Sequence, residues 1–171
     1  DESPEATQEW IEHFLTVPNE LGQIVPMKLY PQQIKMLQDE TGRDIKVKGR
    51  QTRASSLKMA RNLRRMVTGQ VWGATCVTGA QDDATTAIFR TRILHHLEND
   101  LANKGFKFEF EAKNYDEIRI KGLENRFLFV SGEQRTMSRG FSAQIIHFSE
   151  FAHWRDSALE LIGGAIPAVP A

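Results

Sequence analysis

Ile45-Lys46-Val47-Lys48-Gly49-Arg50-Gln51-Thr52-Arg53-Ala54-Ser55-Ser56 is the stretch on which the fold turns. Ile45 and Val47 alternate with lysines, the period-two pattern of a short strand. A polar loop follows. From there Leu57, Ala60, Leu63 and Val67 recur at helical spacing, with Lys58, Arg61 and Arg65 on another face, so a helix is expected over 54–67. A strand that enters a helix through such a loop is where a phosphate-binding loop belongs, because the free N–H groups of the first helical turn face an anion there. The usual pattern is G-x-x-x-x-G-K-[ST]. With Ser55 as the hydroxyl that meets magnesium, Ala54 stands where the lysine belongs and Arg53 where glycine belongs, while Lys48 takes the place of the first glycine. Taken alone, the stretch is equally an ordinary basic strand-to-helix loop.

Outward from this loop, the apolar pattern alternates between the two periods. Downstream, a strand is expected over 71–77, with Gly69 stopping the preceding helix. A long helix is expected over 81–103, with Ala87, Leu94, Leu97 and Leu101 on one stripe. Phe106, Phe108 and Phe110 alternate with charged residues, Ile118 and Ile120 repeat the alternation, and Asn114–Asp116 supplies a turn between them. Residues 127–130 and 145–148 are apolar runs suited to strands buried on both faces, and a helix is expected near 156–162. Upstream, residues 5–15 form an amphipathic helix with Trp10, Ile11 and Phe14; Pro18, Asn19 and Gly22 break the chain. Pro31 opens another helix that runs to about Glu40. This order predicts an α/β fold with a mainly parallel central sheet flanked by helices and an antiparallel addition.

Composition narrows the class. The 171 residues suit one α/β domain, and 40% hydrophobic with 26% charged is ordinary for a globular chain. No apolar run approaches the roughly 18–20 residues of a membrane span, so no membrane role is expected. The only cysteine, Cys76, forms no internal disulfide, which makes a reducing compartment the default, and its strand-like surroundings predict burial. Net charge is zero, but its distribution is uneven: residues 1–44 hold nine acids and three bases, whereas 46–65 hold eight bases and no acid. Such a block either binds phosphate or forms a solvated helix face.

Two further segments carry chemistry. Ile145-Ile146-His147-Phe148-Ser149-Glu150 has the layout of a Walker B strand, with Ser149 where an Asp would hold magnesium and Glu150 where a Glu would activate water. Leu29-Tyr30-Pro31-Gln32-Gln33-Ile34 places an aromatic, a proline and glutamines ahead of the first strand; a glutamine amide offers both the donor and the acceptor that adenine recognition needs. His95 and His96 lie side by side on the long helix, where neighbours do not share a face, so no metal site is expected. His147 reads as a packed histidine, and Asp82, Asp83, Asp116, Glu117 and Glu124 as solvated acids.

Together, in this order, the three segments resemble the large terminase subunits of tailed phages over about residues 28–171. In that family a P-x-Q segment precedes the loop, as Pro31-Gln32-Gln33 does, and the loop often reads R-Q-x-G, as Arg50-Gln51-Thr52 begins to do. Some members lack the late lysine and carry one at the start, as Lys48 would. A strand follows, here Thr75-Cys76-Val77-Thr78. An R-G pair precedes the Walker B strand, as Arg139-Gly140 does, and some members end that strand in S-E with an aromatic soon after, as Ser149-Glu150-Phe151-Ala152-His153-Trp154 does.

The resemblance implies a RecA/ASCE-type P-loop ATPase core over 28–171, preceded by a helical extension over 1–27 and ending before the coupling segment and the endonuclease domain of the family. It implies ATP and magnesium as cofactors. Lys48, Gly49, Arg50, Gln51, Thr52, Arg53, Ala54, Ser55 and Ser56 would cradle ATP, and Gln33 would read its adenine. Ser55 and Ser149 would lie near magnesium, Glu150 would polarise water, and Arg139 would reach a neighbouring subunit's site as a finger. The implied partners are double-stranded DNA, a small terminase subunit and a portal protein. The implied setting is the host cytoplasm, with a homo-oligomeric ring when assembled and a monomer for the isolated domain. Arg53 and Ser149 depart from the family's glycine and aspartate. A helicase-like translocase, and a degenerate P-loop domain that binds DNA or a partner without hydrolysis, share parts of the pattern.

Overall fold

The computed structural model describes residues 2–42, 44, 53–133 and 143–154. The expected strand at 45–47 and helix at 156–162 lie outside them. Helix α1 (Pro4–Phe14) starts on Ser3, whose hydroxyl accepts from the Ala6 N–H at 3.2 Å. A hairpin of β1 (Thr16–Pro18) and β2 (Ile24–Pro26) follows, where the sequence predicted only a break. Helix α2 (Pro31–Gln38) opens on its proline, and α3 (Ala54–Val67) has the predicted bounds. Gly69, with φ 74°, ends α3 as expected.

Strand β3 (Thr75–Ala80) begins four residues later than the sequence suggests, because Val71 and Trp72 belong to a loop. Asn125, fully buried, organises that loop: its amide holds the Ala74 N–H and the carbonyls of Met66 and Val71 at 2.7–2.9 Å. Helix α4 (Asp83–His95) runs on through a π-turn (His96–Asp100) to Asn103. Its buried stripe is Phe89, Ile93, Leu97 and Leu101, with Thr86 at the top; Ala87 and Leu94 sit at its edge.

The remaining strands are β4 (Phe110–Lys113), β5 (Glu117–Ile120), β6 (Arg126–Ser131) and β7 (Ile145–Phe148). The sheet order is β4-β5-β6-β3-β7. Strands β6, β3 and β7 are parallel, and β5 and β4 add to β6 antiparallel. The architecture is therefore mixed α/β, with the parallel part and the antiparallel addition that the sequence predicted. Residues 106–109 do not join β4. The Phe106 N–H still caps the helix on the Leu101 carbonyl at 2.9 Å, and the Phe106 ring packs edge-on against Phe14.

Alternation along the central strands separates two apolar layers. Cys76, Phe127 and Phe129 join Ile11, Leu37, Leu57, Leu63, Met66, Phe89 and Ile93 in the main core. Val77 and Val130 face the other way, against Trp154 and Ala143. Cys76 is buried as predicted, which pushes its thiol up to about 12. Ala80 stands level with Ser131, and Gly79 with Phe148, so the carboxyl ends of three parallel strands form one rim. In open α/β sheets that rim is where ligands bind.

Candidate nucleotide site

Two hydroxyls meet on this rim. Ser55 lies in the first turn of α3 and Ser149 just past the end of β7, and their oxygens are 2.7 Å apart. Ser149 is buried, its N–H held by the Gly79 carbonyl at 2.9 Å. Glu150, the next residue, is exposed and left-handed, with φ 55° and ψ 35°. Two neutral hydroxyl oxygens beside a carboxylate-bearing turn are hard oxygen donors, a set that fits a divalent cation such as magnesium, though with less charge than an aspartate would bring.

Arg53 precedes α3 at φ 50° and ψ 26°. It therefore adopts the conformation that a glycine would favour at this position, in spite of its side chain. Its guanidinium lies over the Tyr30 ring, 5.8 Å from the centroid. Ser56, one residue beyond Ser55, accepts from the Arg92 guanidinium at 3.1 Å; Arg92 comes from α4, and the sequence did not single it out. Lys48, Gly49, Arg50, Gln51, Thr52 and Arg139 lie outside the described residues.

Gln33 is turned inward and 1% exposed. Its amide oxygen accepts from the Tyr30 N–H at 2.9 Å and its amide nitrogen donates to the Arg53 carbonyl at 3.2 Å. Each end of the amide has a protein partner, so Gln33 braces the end of the loop. The signal for this was in the sequence: Gln33 is four residues before Leu37 and shares its buried face. A cavity of about 470 Å³ opens beside it, walled by Val17, Pro18 and Val25 of the hairpin and by Tyr30 and Arg53.

The basic face of α3 is engaged within the chain. Lys58 and Arg61 both bond Glu40, Arg61 at 2.7 Å; Arg65 bonds Glu2 at 3.1 Å, and Arg64 donates to Thr7 at 3.1 Å. These cations fasten the N-terminal elements to α3. Several acids expected to be solvated also have partners. Asp82 caps α4, accepting from the Thr85 N–H at 2.6 Å, Asp83 accepts from Ser131 at 2.5 Å, and Glu117 pairs with Arg119 at 2.9 Å. His147 is partly buried and stacked on Phe89.

The π-turn changes the reading of the two histidines. It brings residues five apart onto one face, so His95 and His96 both approach Asp100. His96 Nδ1 donates to that carboxylate at 2.7 Å, and His95 Nε2 lies 3.5 Å from it. The Thr16 N–H and hydroxyl also donate to Asp100, at 2.8 and 2.7 Å. Thr16 begins β1, so this cluster fastens the hairpin that walls the cavity.

The chain has the fold of a phage large terminase. Compared with the crystal structure of the bacteriophage HK97 large terminase, it superposes with a TM-score of 0.78 over 98% of its length, at 20% sequence identity. The chain spans 36% of that protein. No protein-family model matches the sequence, and comparison with curated proteins gives no match. No helix among the described residues is long and apolar enough to cross a membrane.

Proposed function

We propose that the chain is the ATP-hydrolysing core of a large terminase, an RecA/ASCE-type P-loop domain that drives double-stranded DNA into a procapsid. The observation that carries the reading is the contact of Ser55 with Ser149, because it joins the first turn of the helix after the loop to the end of the strand that bears Glu150. The terminase-like fold supports the packaging context.

In this reading Lys48 and Arg50 neutralise the phosphates, and the first-turn N–H groups of α3 receive them. Magnesium, when bound, would offset charge on the transferred phosphoryl group. Ser55 and Ser149 would hold that ion through their hydroxyls. Glu150 accepts a proton from, or orients, the attacking water. The hairpin cavity, walled by Tyr30 and Arg53, takes the base, with Gln33 bracing its floor from behind. Arg139 acts across a ring interface on the neighbouring subunit's site. A small terminase subunit, a portal protein and the host cytoplasm belong to the same proposal.

The test is Glu150→Gln in the intact protein, which keeps shape and removes charge. ATP affinity should hold within about threefold while turnover falls by about 10² or more. Parallel loss of binding and turnover would assign Glu150 to structure or metal binding instead. The neutral Ser149 and Ala54 favour a second reading, a domain that binds nucleotide or DNA without hydrolysis; binding with no turnover in an assembled motor supports it.

A further inference from the structure

Glu150 owes its direction to a residue that the proposed chemistry does not use. A left-handed backbone is disfavoured for a residue with a Cβ and persists only where the surroundings over-determine it. Here the surroundings converge on Trp154. Its indole is 8% exposed, and its Nε1–H donates to the Ser149 carbonyl at 3.0 Å. That carbonyl belongs to the peptide unit joining Ser149 to Glu150. A rotation of this unit, which would change the left-handed φ of Glu150, breaks the bond. The indole N–H is a donor only and needs an acceptor when buried, so the bond is costly to lose.

Two strand ends give up side chains to seat the ring. A Cβ on Gly79 of β3 would lie 2.8 Å from Trp154 Cη2, and one on Gly132, just past β6, would lie 3.1 Å from Cδ2. Phe148 and Phe151, on either side of Glu150, complete the clamp, with ring centroids 4.9 and 5.4 Å from the indole. The turn is closed by the His153 N–H on the Glu150 carbonyl at 2.9 Å and the Trp154 N–H on the Phe151 carbonyl at 3.1 Å. The clamp ties Glu150 to the ends of all three parallel strands.

We infer that Trp154 is a positioning residue for Glu150: its indole N–H fixes the Ser149–Glu150 peptide and so sets where the carboxylate points. The inference rests on the hydrolytic reading of Glu150 given above. Trp154→Phe is the informative change, because it keeps an aromatic ring in the slot while removing the N–H donor, at the cost of part of the packing over Gly79.

In the intact protein, Trp154→Phe should lower kcat by about tenfold to a hundredfold, the range that a misplacement of about 1 Å brings. The KM for ATP should stay within about twofold, while Tm falls by a few degrees for the lost buried bond and packing. Added to Glu150→Gln, it should cause no further fall in kcat. Unchanged kcat, or a full additional loss on the Glu150→Gln background, overturns the inference and leaves the hydrolytic reading standing. A wild-type protein that binds nucleotide without turnover overturns the hydrolytic reading instead. The brace is then read from amide exchange: Trp154→Phe should speed exchange of the His153 and Trp154 amides by at least about tenfold, with the β6 amides unchanged. Equal exchange in variant and wild type overturns the brace itself.

Discussion

Ser55 and Ser149 are 94 residues apart in sequence, and their hydroxyl oxygens are 2.7 Å apart in space. In the proposed reading the pair takes the places of a phosphate-loop hydroxyl and an acid at a strand's end, yet neither partner carries charge. Ser149→Asp therefore has two opposed effects. Without metal, a carboxylate enters a buried position and stability should drop by about 1–3 kcal/mol. With magnesium, nucleotide affinity should rise by about tenfold, since a carboxylate is the stronger ligand for a hard cation. Calorimetry with and without magnesium separates the two, and an affinity gain that does not need magnesium would remove the ion from the site.

The lysines of the basic block should divide sharply. Lys58 is engaged by Glu40, whose carboxylate it shares with Arg61, whereas Lys48 opens the proposed phosphate loop. Lys58→Ala should cost about 1–2 kcal/mol of stability by leaving Glu40 under-compensated, with ATP hydrolysis unchanged. Lys48→Ala should abolish hydrolysis with little effect on stability. Denaturation and steady-state rates on the same two variants check both halves. Normal hydrolysis by the Lys48 variant would refute its placement.

Asp100 gives the fold an acid-sensitive joint. Burial alone would raise its carboxyl, but the bonds from His96 and Thr16 outweigh that and hold it below the usual carboxylate range. A depressed folded pKa means stability that is fully present above the unfolded value, near 4, and lost as pH falls through the folded one. Asp100→Asn should destabilise the protein by about 1–3 kcal/mol at pH 7. The gap should narrow below about pH 4. A gap that stays constant from pH 7 to pH 3 would show that the charge on Asp100 does not matter.

Much of this was legible in the sequence, for reasons that differ by element. The apolar residues of α3 recur at 3.6 between a polar loop and Gly69, so its bounds were readable. The uninterrupted run in β6 marks a strand covered on both faces. The β1–β2 hairpin was not readable: its strands are three residues long, and Pro18 and Pro26 within them signal breaks. The π-turn was hidden because a regular helix separates His95 from Asp100 in direction, and only the extra residue in the turn brings them together. Ser55 and Ser149 entered through the P-loop and Walker B patterns, while no periodicity reports that two distant hydroxyls touch. The brace formed by Trp154 depends on vacancies at Gly79 and Gly132, and a sequence does not say which side chain fills the space that a glycine leaves.

Arg53 offers a test of the loop's backbone that needs no nucleotide. At φ 50° it sits in the left-handed region, which costs a residue with a Cβ about 1–2 kcal/mol. Arg53→Gly removes that cost, but it frees the unfolded chain, worth about 0.4–1 kcal/mol, and loses the contact with Tyr30, worth about 0.5–1 kcal/mol. These terms nearly cancel, so stability should change by less than about 1 kcal/mol. Arg53→Val loses the same contact and is worse suited to positive φ because it is branched at Cβ. It should lie about 0.5–1.5 kcal/mol below the glycine variant, the left-handed penalty less the unfolded-chain cost of glycine. Urea denaturation of the two variants gives the difference directly. Equal midpoints would mean that residue 53 is not left-handed in solution. The helix would then begin differently, and the Ser55 hydroxyl would not be aimed at Ser149 by this turn.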